Sequence, residues 1–184
     1  MDFTVTAAEL IDAYGLGRVT YFPGRSTAGV DARTATFLGS VGLPESLVFA
    51  SRTDVVNPYA PEVDAITIGR RFDHYGHPCP EESREWWALG HLFTSLIAVD
   101  PVSGRVYAFP EGALGHVGLH RDIESLVFAL IELRRVEIDH DNGVDPEELA
   151  ARFRDAVGAF DPTAFADEAS PWSLAMEELE HGIW

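Results

Sequence analysis

The hydrophobic period of the sequence changes at Asp122, and this change constrains the fold more than any other feature. Before Asp122, short apolar runs with a period of about two predict strands. After it, the period is about 3.6, and the first helical stripe comprises Ile123, Leu126, Val127, Leu130 and Ile131. Strands grouped ahead of helices predict an antiparallel α+β domain.

Turn and capping signals place the elements on both sides of this change. Residues 96–100 and 105–109 are rich in strand formers, and Pro101 and Gly104 between them predict a β-hairpin. Residues 34–41 are predicted as a helix, and residues 18–22 as a strand or extended arm. Residues 46–49 and 65–72 are predicted as short strands, and residues 72–82 as a loop. Further helix starts are predicted where a capping side chain precedes a helical pattern, at Thr6, Asp122, Asp145, Asp161 and Ser170.

The length and charge of the chain limit what it binds. A chain of 184 residues with 46% hydrophobic residues predicts one domain over residues 1–184. The formal net charge is -17, and all 13 basic residues are Arg. This charge repels phosphate backbones and anionic lipids, so no nucleic-acid or membrane binding is predicted, whereas a basic protein partner would be attracted. Adaptation to solubility or to a salty cytoplasm is the alternative explanation of the acidity.

A cytoplasmic location is predicted. The N-terminal segment carries acids and has no basic n-region or apolar h-region, so it is not a secretory signal. The apolar stretch at residues 89–99 is too short to span a bilayer. The single cysteine, Cys79, excludes an internal disulfide and is consistent with a reducing compartment.

Motifs of three enzyme classes are incomplete in this chain. Gly24, Ser26 and Ala28 miss the G-x-S-x-G elbow by one glycine. Gly15 and Gly17 follow a predicted helix rather than a strand, so they are not a dinucleotide fingerprint. A phosphate-binding G-x-x-x-x-G-K-[ST] loop is impossible without Lys. The sequence therefore predicts a protein-binding domain rather than an enzyme.

Two clusters of polar residues offer weaker alternatives. His74, His77 and Cys79 provide ligand types that zinc accepts, but their spacing matches no closed zinc pattern, and an ordinary polar loop is the favoured interpretation. Neither a metal nor a cofactor is predicted. Residues 139–141, Asp-His-Asp, resemble an acid–base set, but the Asn142-Gly143 turn signal that follows favours solvated turn charges.

Several segments, in this order, resemble the SUKH superfamily, and in particular the fourth of its bacterial immunity groups. TFLGSVGLP at residues 36–44 is similar to the family segment F-L-x-x-V-G-L-P, and residues 97–107 are similar to its I-x-x-D-x-x-x-G-x-V-Y hairpin. Residues 119–130 resemble its S-L-x-x-F-x-x-x-L helix. Asp161-Pro162 and residues 170–179 resemble its C-terminal D-P and W-x-x-x-L-E-x-L segments.

This resemblance implies a central, mainly antiparallel sheet flanked by helices. It also implies an immunity protein that binds and neutralises a cognate polymorphic toxin, often a nuclease or nucleic-acid deaminase, by occlusion rather than chemistry. Such toxins tend to be basic, which agrees with the acidity of this chain. The alternatives are a regulatory or scaffold domain of the same fold and a small metal-dependent enzyme that uses the His74, His77 and Cys79 loop.

The surface expected to bind the toxin is an acidic, aromatic stretch. The tryptophan pair at residues 86–87 follows several acids, and aromatic side chains beside acids can anchor an interface. Core packing of at least one of the two tryptophans is the favoured reading. The candidate partner-binding residues are Asp73, Glu81, Glu82, Glu85 and Trp86.

Overall fold

The computed structural model describes residues 2–22, 29–51, 67–113 and 115–183. The strands within these segments are β1 (Val19–Thr20), β2 (Leu43–Pro44), β3 (Phe49–Ser51), β4 (Trp87–Leu92), β5 (Ser95–Val99), β6 (Val106–Phe109) and β7 (Val117–His120). The α-helices are α1 (Ala7–Tyr14), α2 (Ala32–Ser40), α3 (Ile68–Tyr75), α4 (Ile123–Asp141), α5 (Pro146–Phe160) and α6 (Pro171–Glu180). Short 3-10 helices lie at Leu16–Arg18, Glu81–Ser83 and Pro162–Phe165.

Strands β3 to β7 form an antiparallel sheet in chain order, and β1 pairs separately with β2. The predicted hairpin is β5–β6, in which Leu96 lies opposite Phe109 and Val99 lies opposite Val106. Helices accompany this sheet, so the predicted α+β class is confirmed. Strands β4 and β7, which pair with the two strands of the hairpin, are not predicted by the sequence.

One face of the sheet shares a large hydrophobic cluster with helices that come before and after it in the chain. Helix α4 packs against α1, α2 and α5, and α5 packs against α6. Buried members from the strands include Ile97 and Val99, and buried members from the helices include Leu130, Phe153 and Trp172. The apolar stripe that the sequence predicts after Asp122 is buried in this core.

The opposite face of the sheet forms a smaller buried cluster. It comprises Ile68, Trp86, Ala88, Leu96, Ala98 and Phe109. Successive side chains of a strand point to opposite faces. Thus β5 sends Ile97 and Val99 to the large cluster and Leu96 and Ala98 to the small one. The sheet is therefore covered on both sides, as the prediction of a central sheet flanked by helices requires.

Capping side chains begin the helices as the sequence predicts. Thr6 accepts a hydrogen bond from the Glu9 amide, and the Glu9 carboxylate accepts one from the Thr6 amide, so the capping box is complete. Asp122, Asp145 and Ser170 cap α4, α5 and α6 by accepting from amides of the first turn. Such caps satisfy amides that have no intrahelical partner.

Some sequence-based expectations are wrong. Residues 65–72 are predicted as a strand, but the described part from Ile68 onward is helix α3. Residues 72–82 are predicted as a loop, but they contain the end of α3 and the beginning of a 3-10 helix. Ile68 and Phe72 stand four residues apart and both join the small cluster, so the sheet face favours a helix that the sequence pattern did not reveal.

Two smaller expectations are also wrong, and a third concerns residues outside the described part of the chain. Asp161-Pro162 starts a 3-10 helix of four residues rather than an α-helix. Ile183 is predicted on the apolar stripe of the last helix, but it lies beyond the end of α6 and is 73% exposed. The segment with Gly24, Ser26 and Ala28 lies outside the described residues.

Candidate protein-binding surface

Residues 67–86, called the cap here, cover the small-cluster face of the sheet. The two ends of the cap hydrogen bond to each other: the Ile68 amide donates to the Trp86 carbonyl at 2.8 Å, and the Gly69 amide donates to the Arg84 carbonyl at 2.9 Å. A β-carbon at Gly69 would lie 2.9 Å from the Arg84 carbonyl oxygen, so the close approach requires glycine. The cap is therefore a closed loop, fastened next to the start of β4.

The predicted acidic residues all belong to this cap, but their charges are not equivalent. Asp73 on α3 forms an ion pair with Arg84, so much of its charge is offset locally. Glu82 lies 3.5 Å from Nε2 of His116, and its side chain is 67% exposed. Glu81 and Glu85 are exposed and form no ion pair with the described residues. The outward negative charge of the cap thus comes from the three glutamates.

Trp86 lies beneath these acids rather than beside them. Only 8% of it is exposed, and its ring stacks on Tyr107 with centroids 4.1 Å apart. Trp87 is also buried, but on the opposite face of the sheet, so both tryptophans are core residues. Trp86 therefore supports the acidic turn from below, and its contact with a partner stays a prediction.

His116 is a member of this site that the sequence does not predict. Its ring contacts Trp86, Tyr107 and Phe109, with centroids 4.6, 5.1 and 5.5 Å away, respectively. Its Nε2 faces Glu82, so it connects the aromatic layer to the acidic turn. The cap and the segment before β7 are brought together by the fold, and the local pattern around residue 116 does not signal this role.

The possible zinc ligands of the cap do not gather. The ring of His74 contacts Tyr75, the ring of His77 contacts Phe72, and the Cys79 thiol lies 3.8 Å from Oγ of Ser83. Burial raises the pKa of the Cys79 thiol, which disfavours the thiolate that a metal would bind. Across the described residues, no three His, Cys, Asp or Glu side chains are grouped as a metal site.

The Asp-His-Asp run at residues 139–141 lies at the end of α4, as the turn signal after it indicates. Asp139 forms an ion pair with Arg152 of α5, with 2.8 Å between the carboxylate oxygen and the guanidinium nitrogen. Gly143 in the following turn has a φ of 82°, a conformation that favours glycine. The Asp139 carboxylate thus joins two helices.

The most deeply buried ionisable pair of the described residues is His120 and Asp161, in the core behind the sheet. His120 Nδ1 lies 3.0 Å from Asp161 Oδ2, and Asp161 also accepts from the Arg121 amide. Burial opposes ionisation of Asp161, but hydrogen bonds from His120 and Thr163 outweigh it and hold its pKa well below the usual range. The His120 side chain has no exposed surface, so no substrate reaches it, and the pair serves the fold.

An antiparallel sheet with a helical layer on one face and an acidic cap on the other is an α+β arrangement consistent with the SUKH fold. A family model described as SUKH-4 immunity protein matches residues 5–178, and the chain belongs to this family. The resemblance seen in the sequence is thereby confirmed, and the family supports an immunity function in toxin systems. Comparisons with curated proteins and with solved structures gave no match.

Within the described residues, no helix is long and apolar enough to cross a membrane.

Proposed function

We propose that this protein binds a basic toxin domain through the cap and neutralises it by steric and electrostatic occlusion, without chemistry of its own. The observation that carries this proposal is the match of the SUKH-4 immunity family over residues 5–178. A nuclease or nucleic-acid deaminase is the class of toxin that fits best, because a surface that binds polynucleotides is basic. The protein would act in the cytoplasm, where such a toxin meets its target.

The charge distribution supports a basic partner. Most described arginines are already in ion pairs with carboxylates of this chain: Arg33, Arg84, Arg121, Arg134, Arg135, Arg152 and Arg154. Few arginines among the described residues are therefore left to offset the excess of acidic residues that gives the net charge of -17. Such a field accelerates association with a basic protein, and the effect weakens as salt shortens the Debye length to about 8–10 Å.

The build of the cap supports its use as the contact surface. Glu81 and Glu82 lie in one 3-10 turn, so their carboxylates are held on a short, ordered segment. The stacked rings of Trp86 and Tyr107 hold this turn on the sheet. A preorganised acidic surface loses little side-chain entropy on binding, which favours affinity. A stable interface of about 1,600 Å² would extend beyond the cap to neighbouring surface.

The first experiment is co-expression in a bacterial host with the toxin domain encoded by the neighbouring gene, followed by purification of the complex. Survival of the host and a stable complex are the expected results. The triple variant Glu81→Gln, Glu82→Gln, Glu85→Gln should weaken the complex about 10-fold or more at low salt. A matched control removes the same charge from the helical side of the fold by changing Glu168, Glu177 and Glu178, which are exposed, to Gln.

The control variant distinguishes a contact made by the cap from attraction by the net charge of the whole chain. If both triple variants lose the same affinity, only the net charge matters, and the cap is not the contact surface. If the wild-type chain neither rescues the host nor binds, the neutralising role is wrong for this pair. Rescue that survives Ala at His74, His77 and Cys79 is expected, because occlusion needs no metal, whereas its loss with release of bound zinc would favour a metal-dependent enzyme.

A further inference from the structure

A cleft opens at one side of the cap, between α3 and the ends of strands β4, β5 and β6. It consists of a cavity of about 510 Å³ and an adjoining cavity of about 280 Å³. The two share Phe72, His77, His91 and Leu96 in their walls. Their combined size accommodates side chains of a partner rather than a single ion.

The floor of the cleft is apolar and aromatic. Phe72 packs on Phe109 with ring centroids 5.6 Å apart, and the ring of His77 contacts Phe72 from the side. Leu96 and Phe109 belong to the small buried cluster, so the floor is fixed to the sheet. A polar group that enters this cleft would leave bulk water, and its electrostatic interactions would be stronger there.

Arg71 of α3 stands on the wall of the smaller cavity without a carboxylate partner among the described residues. Its closest polar contact there is Nε2 of His91, 3.4 Å from the guanidinium. Burial and the nearby guanidinium lower the pKa of His91, so its ring is neutral near pH 7 and can accept from Arg71. A guanidinium has five N–H donors, and this single long contact leaves most of them available.

The arginine on the other side of the cap has a different environment. Arg84, on the other side of the cap, is paired with Asp73. Arg71 is half-buried and faces an imidazole in a chain with 30 acidic residues. Glu111 lines the larger cavity but is exposed and is not part of the smaller one. Among the residues that the structure describes, Arg71 is thus left uncompensated beside an apolar floor, within an acidic surface.

We propose that the cleft receives an Asp or Glu side chain of the toxin, which pairs with Arg71 through two parallel hydrogen bonds. This inference rests on the proposed function. The planar guanidinium matches a carboxylate in this geometry, as an ammonium group does not. His91 contacts the guanidinium through one nitrogen, which leaves its other N–H groups for the carboxylate.

The subsite gives specificity that net charge cannot give. Any basic protein is attracted to a chain with a charge of -17, so long-range attraction does not select the cognate toxin. A toxin that places Lys or Arg at the cleft would meet Arg71 and be repelled. A toxin that places a carboxylate there gains a charge-assisted pair in a partly desolvated site. Arg71 therefore favours those basic proteins that place a carboxylate at the cleft, and it fixes the orientation in which they dock.

The test measures the affinity of the purified chain for the inactivated toxin domain encoded by the neighbouring gene. Arg71→Gln should weaken binding about 10- to 100-fold. This loss is larger than that expected from removing an exposed charge at the edge of an interface and smaller than that from breaking a fully buried ion pair. Arg70→Gln is the matched control, because Arg70 is the exposed neighbour on the same helix and the charge change is identical. That control should change affinity about threefold or less.

Two further variants identify the partner group. Arg71→Lys keeps the charge and the apolar stem but loses the planar fork, so it should bind more weakly than wild type and more tightly than Arg71→Gln. If Arg71→Gln does not fold stably, Arg71→Lys is measured in its place. Arg71→Glu should then be rescued when one Asp or Glu of the toxin is changed to Lys, in a scan of its acidic residues.

The outcomes separate this inference from the proposed function. If the wild-type chain binds but Arg71→Gln and Arg70→Gln behave alike, the subsite is wrong and neutralisation by the cap stands. If Arg71→Gln loses affinity but no toxin carboxylate couples to it, the assignment to a carboxylate is wrong. If the wild-type chain does not bind the toxin, both proposals fail together.

Discussion

Nε1 of Trp172 donates a hydrogen bond of 2.8 Å to Nε2 of His120, and both side chains are buried. Because the indole N–H can only donate, Nε2 must carry a lone pair and the ring proton must sit on Nδ1. Nδ1 then donates to Asp161 at 3.0 Å. These two hydrogen bonds fix the tautomer of His120, and the bond from Trp172 joins α6 to the end of β7.

Trp172→Phe should destabilise the protein by about 2–4 kcal/mol, because it leaves the buried acceptor of His120 unpaired and opens space in the core. Urea denaturation at pH 7.5 measures the change. Leu174→Ala on the exposed side of the same helix is the control and should cost much less, since Leu174 is 47% exposed. Equal losses in the two variants would show that the hydrogen bond does not contribute.

Stability should fall as the pH is lowered from 7.5 to 5.5. Burial lowers the pKa of His120 below the usual imidazole value of 6.5. The unfolded chain therefore binds a proton more readily than the folded one, so this contribution is present above pH 6.5 and is lost below it. Asp161, whose folded pKa is also lowered, adds a second loss below its usual value of 3.8.

Urea midpoints at pH 7.5, 6.5 and 5.5 test this pH dependence. His120→Gln should reduce stability at pH 7.5 and make the profile less steep, because His120 no longer titrates, whereas His91, whose pKa is also lowered, still contributes. His181→Gln, a change at an exposed histidine, should keep the wild-type profile. A His120→Gln profile as steep as that of wild type would assign the pH dependence to other groups.

Gly90→Ala should destabilise the sheet by about 2–4 kcal/mol. Gly90 has a φ of 152°, and a β-carbon there would lie 2.2 Å from the Ala50 carbonyl oxygen of β3. The edge strand would have to move away from β4. Gly118→Ala in β7 is the matched control, since a β-carbon there meets no atom within 4 Å. Thermal unfolding compares the two, and similar midpoints would contradict the close approach.

Glu124→Gln should release the N-terminal segment from α4. The buried Glu124 carboxylate accepts from the Thr4 amide at 2.5 Å and from the Val5 amide at 3.1 Å, and it pairs with Arg33. Loss of the charge should cost about 1–3 kcal/mol. Hydrogen exchange at the Thr4 and Val5 amides should accelerate, whereas Glu9→Gln should affect only the cap of α1. Unchanged exchange in the Glu124→Gln variant would show that the carboxylate does not anchor this segment.

The sequence predicts those elements whose signals are local. The β5–β6 hairpin and α4 have clear periods and turn residues, and the caps at Thr6 and Asp122 are complete within four residues of chain. Strands β4 and β7 are missed because each contains an interior glycine, Gly90 and Gly118, and glycine weakens a strand signal.

The residues of the candidate site also divide into those with a local sequence signal and those without one. The acids of the cap are visible in the sequence because they are close together along the chain. Arg71, His91 and His116 are missed because their role depends on partners that the sheet brings from other segments. His91 meets Arg71 across 20 residues, and no single-sequence pattern encodes that distance.

The closed base of the cap separates the fold of the sheet from the surface that is proposed to bind the partner. The backbone bonds of Ile68 and Gly69 to Trp86 and Arg84 hold the loop shut close to the sheet, and the close approach at this point depends on Gly69. Exposed positions between them, such as Glu81 and Glu85, can change in sequence while the base and the sheet keep their geometry. If the cap is the contact surface proposed above, a change of toxin would be met by substitutions at these exposed positions, and the sheet would stay unaltered.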